Sequence, residues 1–157
     1  MRIGLDSNVL VASIKMPGEP YYAAALELAK KTRNENISSV GSALVLIEIP
    51  GALASSTKMP IEKIYEVSAS VQAGFNLTIM NFESYVDLAR ELIFEFRDLK
   101  SKWQIGSADF HHLATSVQEE CDFFITTDEK HLLRAACREA FEKHIKILNP
   151  NQALELT

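Results

Sequence analysis

Cysteine, positive charge and long apolar runs are all scarce in this 157-residue sequence, and each scarcity removes a class of protein. The two cysteines, Cys121 and Cys137, form neither a C-x-x-C pair nor the dense, even spacing of a disulfide scaffold. A reducing cytoplasm is therefore the expected setting, and Cys137, on an apolar helical stripe, is expected to be a small buried hydrophobe. No apolar run approaches the roughly 18 residues of a membrane span. No basic segment followed by an apolar stretch and a small-residue cleavage site marks the N-terminus for secretion. Sixteen Lys and Arg stand against 21 Asp and Glu, a formal net charge of −5. That balance argues against a protein that coats nucleic acid by bulk electrostatics, but leaves room for a site where bound cations supply the positive charge. Six glycines and five prolines, with no repeat and no biased segment, exclude low-complexity and solenoid architectures.

What remains is the composition of an ordinary globular domain, 47% hydrophobic and 24% charged. A chain of this length fits one domain, residues 1–157, able to bury about 70 per cent of its unfolded surface. Arg2–Leu5 reads as a short buried strand, and Tyr21–Lys31 as a helix with Tyr21, Ala24, Ala25 and Leu28 at helical spacing. Asn36–Val40 reads as a second strand. Ser42 then offers an N-cap for a helix through Leu44, Glu48 and Leu53, which Pro50 should bend or interrupt. Pro60 starts another helix, with Ile61, Ile64, Tyr65 and Ser68 on one face. After Gly74 the stretch FNLTIM alternates like a half-buried strand, and Tyr85, Leu88, Ala89, Leu92, Ile93 and Phe96 form the clearest helical stripe. Asp98–Trp103 reads as a polar linker, and Ser107 as the cap of a helix with Phe110, Leu113, Ala114 and Val117 inside. Asp122–Thr126 reads as a buried strand, Asp128 as the cap of a helix with Leu133, Ala136, Cys137, Ala140 and Phe141 on one face, and Ile145–Leu148 as a last strand. Strands alternating with helices predict an α/β fold, a three-layer α/β/α sandwich around a mostly parallel sheet.

In such a sheet ligands bind beyond the carboxyl ends of the strands, where strand order reverses. The opening MRIGLDSNVLVA sets Asp6 directly after the first strand, inside an otherwise apolar run, and FFITTDEKHL sets Asp128 directly after a later one. Asp109 lies in the first turn of its helix, three positions before His112, and Glu48 is the sole charge in ALVLIEIPGALA. Singly, each has an ordinary explanation. Asp6 with Ser7 and Asn8 can make an Asx-type turn, and Asp109 and Asp128 can serve helix N-termini, at about 0.3–1 kcal/mol each. Glu48 is harder to dismiss, because a carboxylate in an apolar helix usually has a partner. If the four converge they repel one another and raise each other's pKa, unless a cation sits among them. Oxygen donors with open, water-filled positions suit Mg²⁺ or Mn²⁺ better than Zn²⁺. His111 and His112 diverge by about 100° on a helix and cannot both aim at one metal, so His112 reads as a hydrogen-bonded histidine beside Asp109, not as a ligand. Trp103 with Arg97, Lys100 and Lys102 could stack on a base and touch phosphate, or form a solvated linker.

In order, LDSNVLV, a lone Glu in an apolar helix, SADFHHLATSV, FFITTDEKHL and IKILNP resemble the PIN domain, and in size the stand-alone PIN ribonucleases of VapC type. LDSNVLV is like that family's D-T-N-V-L segment, SADFHHLATSV like its D-A-x-x-H-L-A-T-A helix, and FFITTDEKHL like its T-x-D segment. The resemblance implies that Asp6, Glu48, Asp109 and Asp128 are the acidic metal-binding and catalytic positions, with Asn8 and Thr126 organising the site. It implies a ribonuclease dependent on Mg²⁺ or Mn²⁺ with RNA as substrate, a small antitoxin protein as partner, and a homodimer. Ser7 stands where the family more often has Thr, Val45 where many relatives carry a hydroxyl residue, and Pro50 is unusual so soon after the Glu. Two rivals remain: a PIN-like RNA-binding or protein-docking module with weak catalysis, and a phosphatase of the haloacid dehalogenase class. The second expects an acid where Asn8 stands.

Overall fold

The structure, a computed structural model, describes residues 1–34 and 36–157. Five strands, β1 (Arg2–Leu5), β2 (Ser38–Ser42), β3 (Leu77–Met80), β4 (Phe123–Ile125) and β5 (Ile147–Leu148), pair in the order β3-β2-β1-β4-β5. Every pairing is parallel. The connections up to β3 hold α1 (Ser7–Ala12), α2 (Tyr22–Asn34), α3 (Val45–Ser56) and α4 (Ile61–Gly74). Those after it hold α5 (Val86–Glu95), α6 (Arg97–Trp103), α7 (Ser107–Gln118), α8 (Ala135–Phe141) and α9 (Pro150–Leu154). Strand periodicity sorts the core into two layers. Ile3, Leu5, Phe123 and Ile125 pack with α1 to α4, while Phe124 and Ile147 pack with α5, α7 and α8. This is the three-layer α/β/α sandwich expected from the alternation. Among the described residues no helix is long and apolar enough to cross a membrane.

Gly4, in the central strand, is where α7 comes closest. A Cβ there would lie 1.9 Å from Ser116 Oγ and 2.5 Å from Ser116 Cβ, so rotating the hydroxyl away does not open the space. Gly4→Ala is expected to force α7 off the sheet and lower stability by about 2–3 kcal/mol, the upper range of core overpacking. Urea denaturation checks this, and Ser116→Gly in the same chain should recover most of the loss.

Several local expectations change. The stretch Asp98–Trp103 belongs to helix α6 and is not a linker, because Leu99 and Trp103, four apart, turn inward against the second core until Gln104 ends the helix in the left-handed conformation (φ 53°). Ser42 closes β2 instead of capping a helix, and α3 begins at Val45 and runs on through Pro50. Proline there removes the donor for the Leu46 carbonyl, but Leu46 is exposed and water can serve that group. Gly106, not Ser107, is the N-cap of α7. Residues 129–133 form turns and 134 a bend, so α8 starts later than expected and buries Cys137 and Phe141 while Ala136 is exposed. On α4 the inward face is Ile64, Ser68 and Val71, leaving Ile61 and Tyr65 outside. Two short helices were not anticipated. One is α1, which Asp6 caps, and the other is α9, where Asn149 and Gln152 cap each other reciprocally.

Candidate acidic site at the strand-order reversal

From β1 the chain runs outward to β2 and β3, then recrosses to β4 on the other side, so strand order reverses between β1 and β4. The ends of these two strands are joined by the Asp6 N–H, which donates to the Ile125 carbonyl at 3.0 Å. Asp6 itself is buried, 4% exposed, where an ionised carboxylate is costly unless hydrogen-bonded. The surrounding chain meets that need. Its Oδ2 accepts from Asn8 Nδ2 at 2.8 Å and from the Thr126 hydroxyl at 2.7 Å. Its Oδ1 accepts from the Asn8 N–H at 3.3 Å and from the Ser7 hydroxyl at 3.4 Å.

The network continues across the strand ends. Asn8 Oδ1 accepts the Thr127 N–H at 2.9 Å, and Thr126 Oγ1 accepts the Asp128 N–H at 3.1 Å and lies 3.1 Å from Asn8 Nδ2. Asn8 and Thr126 therefore set the spacing between the Asp6 and Asp128 segments. Thr126→Val keeps the shape but removes these bonds from a fully buried position. It is expected to lower stability by about 1–3 kcal/mol, while Thr126→Ser retains most of it. Chemical denaturation of the two variants measures the difference.

Asp128 is held in its own turn. Oδ1 accepts the N–H groups of Lys130 and His131 at 3.1 and 3.2 Å, and Oδ2 lies 2.8 Å from His131 Nδ1. The local role is thus an Asx-type turn, not the helix cap expected from sequence. Asp109 comes from the opposite layer, on the first turn of α7, with Oδ2 accepting the Gly106 N–H at 2.7 Å. Burial, then the nearby negative charge of Asp6, pushes the Asp109 carboxyl up to about 6; the Gly106 N–H opposes the shift and Asp128 adds to it. Asp6, Asp109 and Asp128 therefore share one electrostatic field.

Glu48 reaches the same field through His112. The His112 ring, 2% exposed, sits with Nε2 2.7 Å from Glu48 Oε2 and Nδ1 3.0 Å from Ser42 Oγ, and with Asp6 Oδ1 3.9 Å away. Burial acts to raise the Glu48 carboxyl, but the hydrogen bond and charge of His112 outweigh it and hold Glu48 below the ordinary carboxylate range, with help from Ser7. Burial likewise acts to lower His112, and Glu48, Asp6 and Asp109 together raise it above the ordinary imidazole value. His112 is the hydrogen-bonded histidine its position suggested. Its partners were not legible: Ser42, His112 and Glu48 are far apart in sequence, and only the packing of α3 and α7 around β2 joins them.

Among the described residues no three His, Cys, Asp or Glu side chains converge tightly enough to form a ready-made metal cage. The donor chemistry nevertheless suits a hard divalent cation. Carboxylate oxygens come from Asp6, Asp109 and Asp128, and the burial and like-charge repulsion that raise Asp109 are both offset by a bound cation.

The sequence profile of the PIN domain matches residues 3–138. Among solved structures, a chain from VapBC2 of Rickettsia felis, bound to a DNA fragment from their promoter, is similar with a TM-score of 0.63 and 21% identity, over 95% of this chain and 98% of that one. A chain from FitAB bound to an IR36 DNA fragment is similar with a TM-score of 0.59 and 19% identity, over 96% of this chain and 95% of that one. At these identities both likenesses establish the fold. A comparison with curated proteins gives no match.

Proposed function

The chain belongs to the PIN-domain family, whose members are generally nucleases, and from that premise we propose that it is a divalent-metal-dependent endoribonuclease. The observation that carries this reading is the buried Asp6 carboxylate at the strand-order reversal, joined through Asn8 and Thr126 to the Asp128 segment, with Asp109 at the start of α7 within reach of the charge of both. Asp6, Asp109 and Asp128 would hold Mg²⁺ or Mn²⁺, and Glu48, hydrogen-bonded to His112, would complete the acidic set. A divalent ion bound there would supply a more acidic attacking water and charge stabilisation at the scissile phosphate. The protein's own part is orientation. Four donors fix the Asp6 carboxylate, Thr126 ties it to the Asp128 segment, and the Gly106 N–H aims Asp109. The carboxylates need not shuttle protons.

The similarity to chains from VapBC2 and FitAB supports a further part of the proposal, that the protein is the toxin of a toxin–antitoxin pair silenced by a small antitoxin; that it acts as a homodimer is proposed from the family resemblance alone. The test of the central reading is RNA cleavage with Mg²⁺ or Mn²⁺ in purified protein. Activity is expected to vanish with a chelator and to return on adding back either ion. Cleavage that persists with chelator overturns the metal-dependent reading.

One observation favours a second reading, a binding module with weak catalysis: Glu48 is tied to His112 rather than free. A protein of that kind binds Mn²⁺ no better than its Asp6→Asn and Asp109→Asn variants. The haloacid dehalogenase alternative loses its footing, because Asn8 is committed to holding Asp6 and the Thr127 N–H.

A further inference from the structure

Trp103, the only tryptophan in the sequence, stands where two site-bearing segments meet. It is the last residue of α6, six positions before Asp109. Arg134, six positions after Asp128, lays its guanidinium over the Trp103 ring, 4.5 Å from the centroid, and its Nε donates to the Lys130 carbonyl. The Lys102 ammonium lies 5.2 Å from the same ring. Lys130 links this arginine to the acidic site, because its N–H donates to Asp128 Oδ1 at 3.1 Å while its carbonyl accepts from Arg134 Nε.

Arg134 is held but not neutralised. Among the described residues Arg134 forms no ion pair, which is true also of Arg33 and Arg138, and what sets it apart is the aromatic ring beneath its guanidinium. Its two terminal nitrogens make no hydrogen bond among the described residues, while the ring and the Lys130 carbonyl fix the plane of the group. A guanidinium oriented in this way has already lost most of its rotamer freedom and presents two parallel N–H donors, the geometry that grips a phosphate. A chain of net charge −5 with an acidic centre repels a polyanion, so a strand that is to reach the centre needs a fixed local cation beside it. Phosphate contacts of this kind set register and orientation without reading sequence.

We propose that Arg134, stacked on Trp103, is a phosphate-binding residue that seats a single RNA strand beside the acidic centre, with Lys102 and Lys130 as flanking cations. This rests on the ribonuclease reading. Of the cluster that sequence alone left as either a stacking platform or a solvated linker, it assigns a binding function to Trp103 and Lys102, while Arg97 faces Asp98 and Lys100 donates to the Ile105 carbonyl.

The test uses the full chain with Mg²⁺ and a single-stranded 2′-O-methyl oligoribonucleotide, checked to be intact afterwards, and follows Trp103 fluorescence across a salt series. Wild type is expected to bind with a change in that fluorescence. Arg134→Ala should weaken affinity about tenfold and reduce the slope of log K against log salt by about 0.7–1, with Arg134→Lys recovering part of the loss. On cleavable RNA the same Ala variant should raise KM with kcat nearly unchanged. Wild-type affinity and slope in Arg134→Ala, accompanied only by a fall in thermal midpoint, make the stack a strut and overturn the inference while leaving the ribonuclease reading standing. Neither binding nor cleavage of RNA by wild type overturns both.

Discussion

An Asp6→Asn protein is expected to fold and to cut RNA on the order of 1,000-fold more slowly than wild type, a loss of several kcal/mol of transition-state stabilisation. Asparagine is nearly isosteric and keeps an oxygen for the Thr126 hydroxyl, so the links between the β1 and β4 ends survive in part. What it removes is the negative charge at the point of strand-order reversal, on which metal affinity depends in the proposed reading. The measurement pairs a cleavage assay with a denaturation curve for the same preparation. Loss of cleavage with a fold of near-normal stability supports the metal-holding role. Retention of full activity in the variant means that another nuclease, or another site, accounts for the activity.

Asp109→Asn has the opposite effects on stability and on activity. In the folded chain Asp109 titrates at about 6, above the value near 3.9 of an unfolded aspartate. Because the folded state binds this proton more tightly, the group makes stability fall as pH rises from about 4 to about 6, and by neutral pH the cost is fully expressed. Two pK units correspond to about 3 kcal/mol, an upper bound that partial solvent access reduces. In metal-free buffer at neutral pH, Asp109→Asn is therefore expected to be about 1–3 kcal/mol more stable than wild type, with the gain disappearing near pH 4. Asparagine still offers an oxygen to the Gly106 N–H, so the helix start is preserved. RNA cleavage should fall by about two orders of magnitude or more, since one carboxylate of the proposed metal set is gone. Thermal melts at several pH values with and without Mn²⁺ measure both effects: the ion should raise the midpoint of wild type much more than that of the variant. A variant less stable than wild type at neutral pH without metal shows that Asp109 serves the helix terminus and little else.

Such a trade of stability for function explains which parts of the site were legible in the sequence. Asp6 and Asp128 follow strands that are short, apolar and bounded by polar residues, so their approach to one edge of the sheet follows from chain direction alone. Asn8 and Thr126 are within two residues of those acids, and both side chains hydrogen-bond to the Asp6 carboxylate. Glu48 was conspicuous because nothing polar in its own helix could pair with it; its partner lies 64 positions away on α7 and required the tertiary packing to identify. Asp109 was visible as a first-turn acid, but the charge of Asp6 and Asp128 upon it depends on how closely α7 sits on β1, which the missing side chain of Gly4 permits.

The departures lie where local signals compete. Leu99 and Trp103 in a charged stretch looked like a linker until their helical spacing met an apolar surface. Asp128 resembled a helix cap, yet its carboxylate is spent on the Lys130 and His131 amides, and the helix waits until Ala135. The short cap of α9, NPNQ, was readable from Asn149, Pro150 and Gln152, and was overlooked because the last strand seemed to end the fold.

Isothermal titration of Mn²⁺ into wild type, Asp6→Asn and Asp109→Asn at pH 6 and at neutral pH tests most directly whether acids from separate segments hold one divalent ion together. Wild type should bind the ion, release protons on binding at pH 6 where Asp109 is half protonated, and lose at least about tenfold in affinity with either substitution. Equal affinity in all three proteins, or binding without proton release at pH 6, contradicts the account.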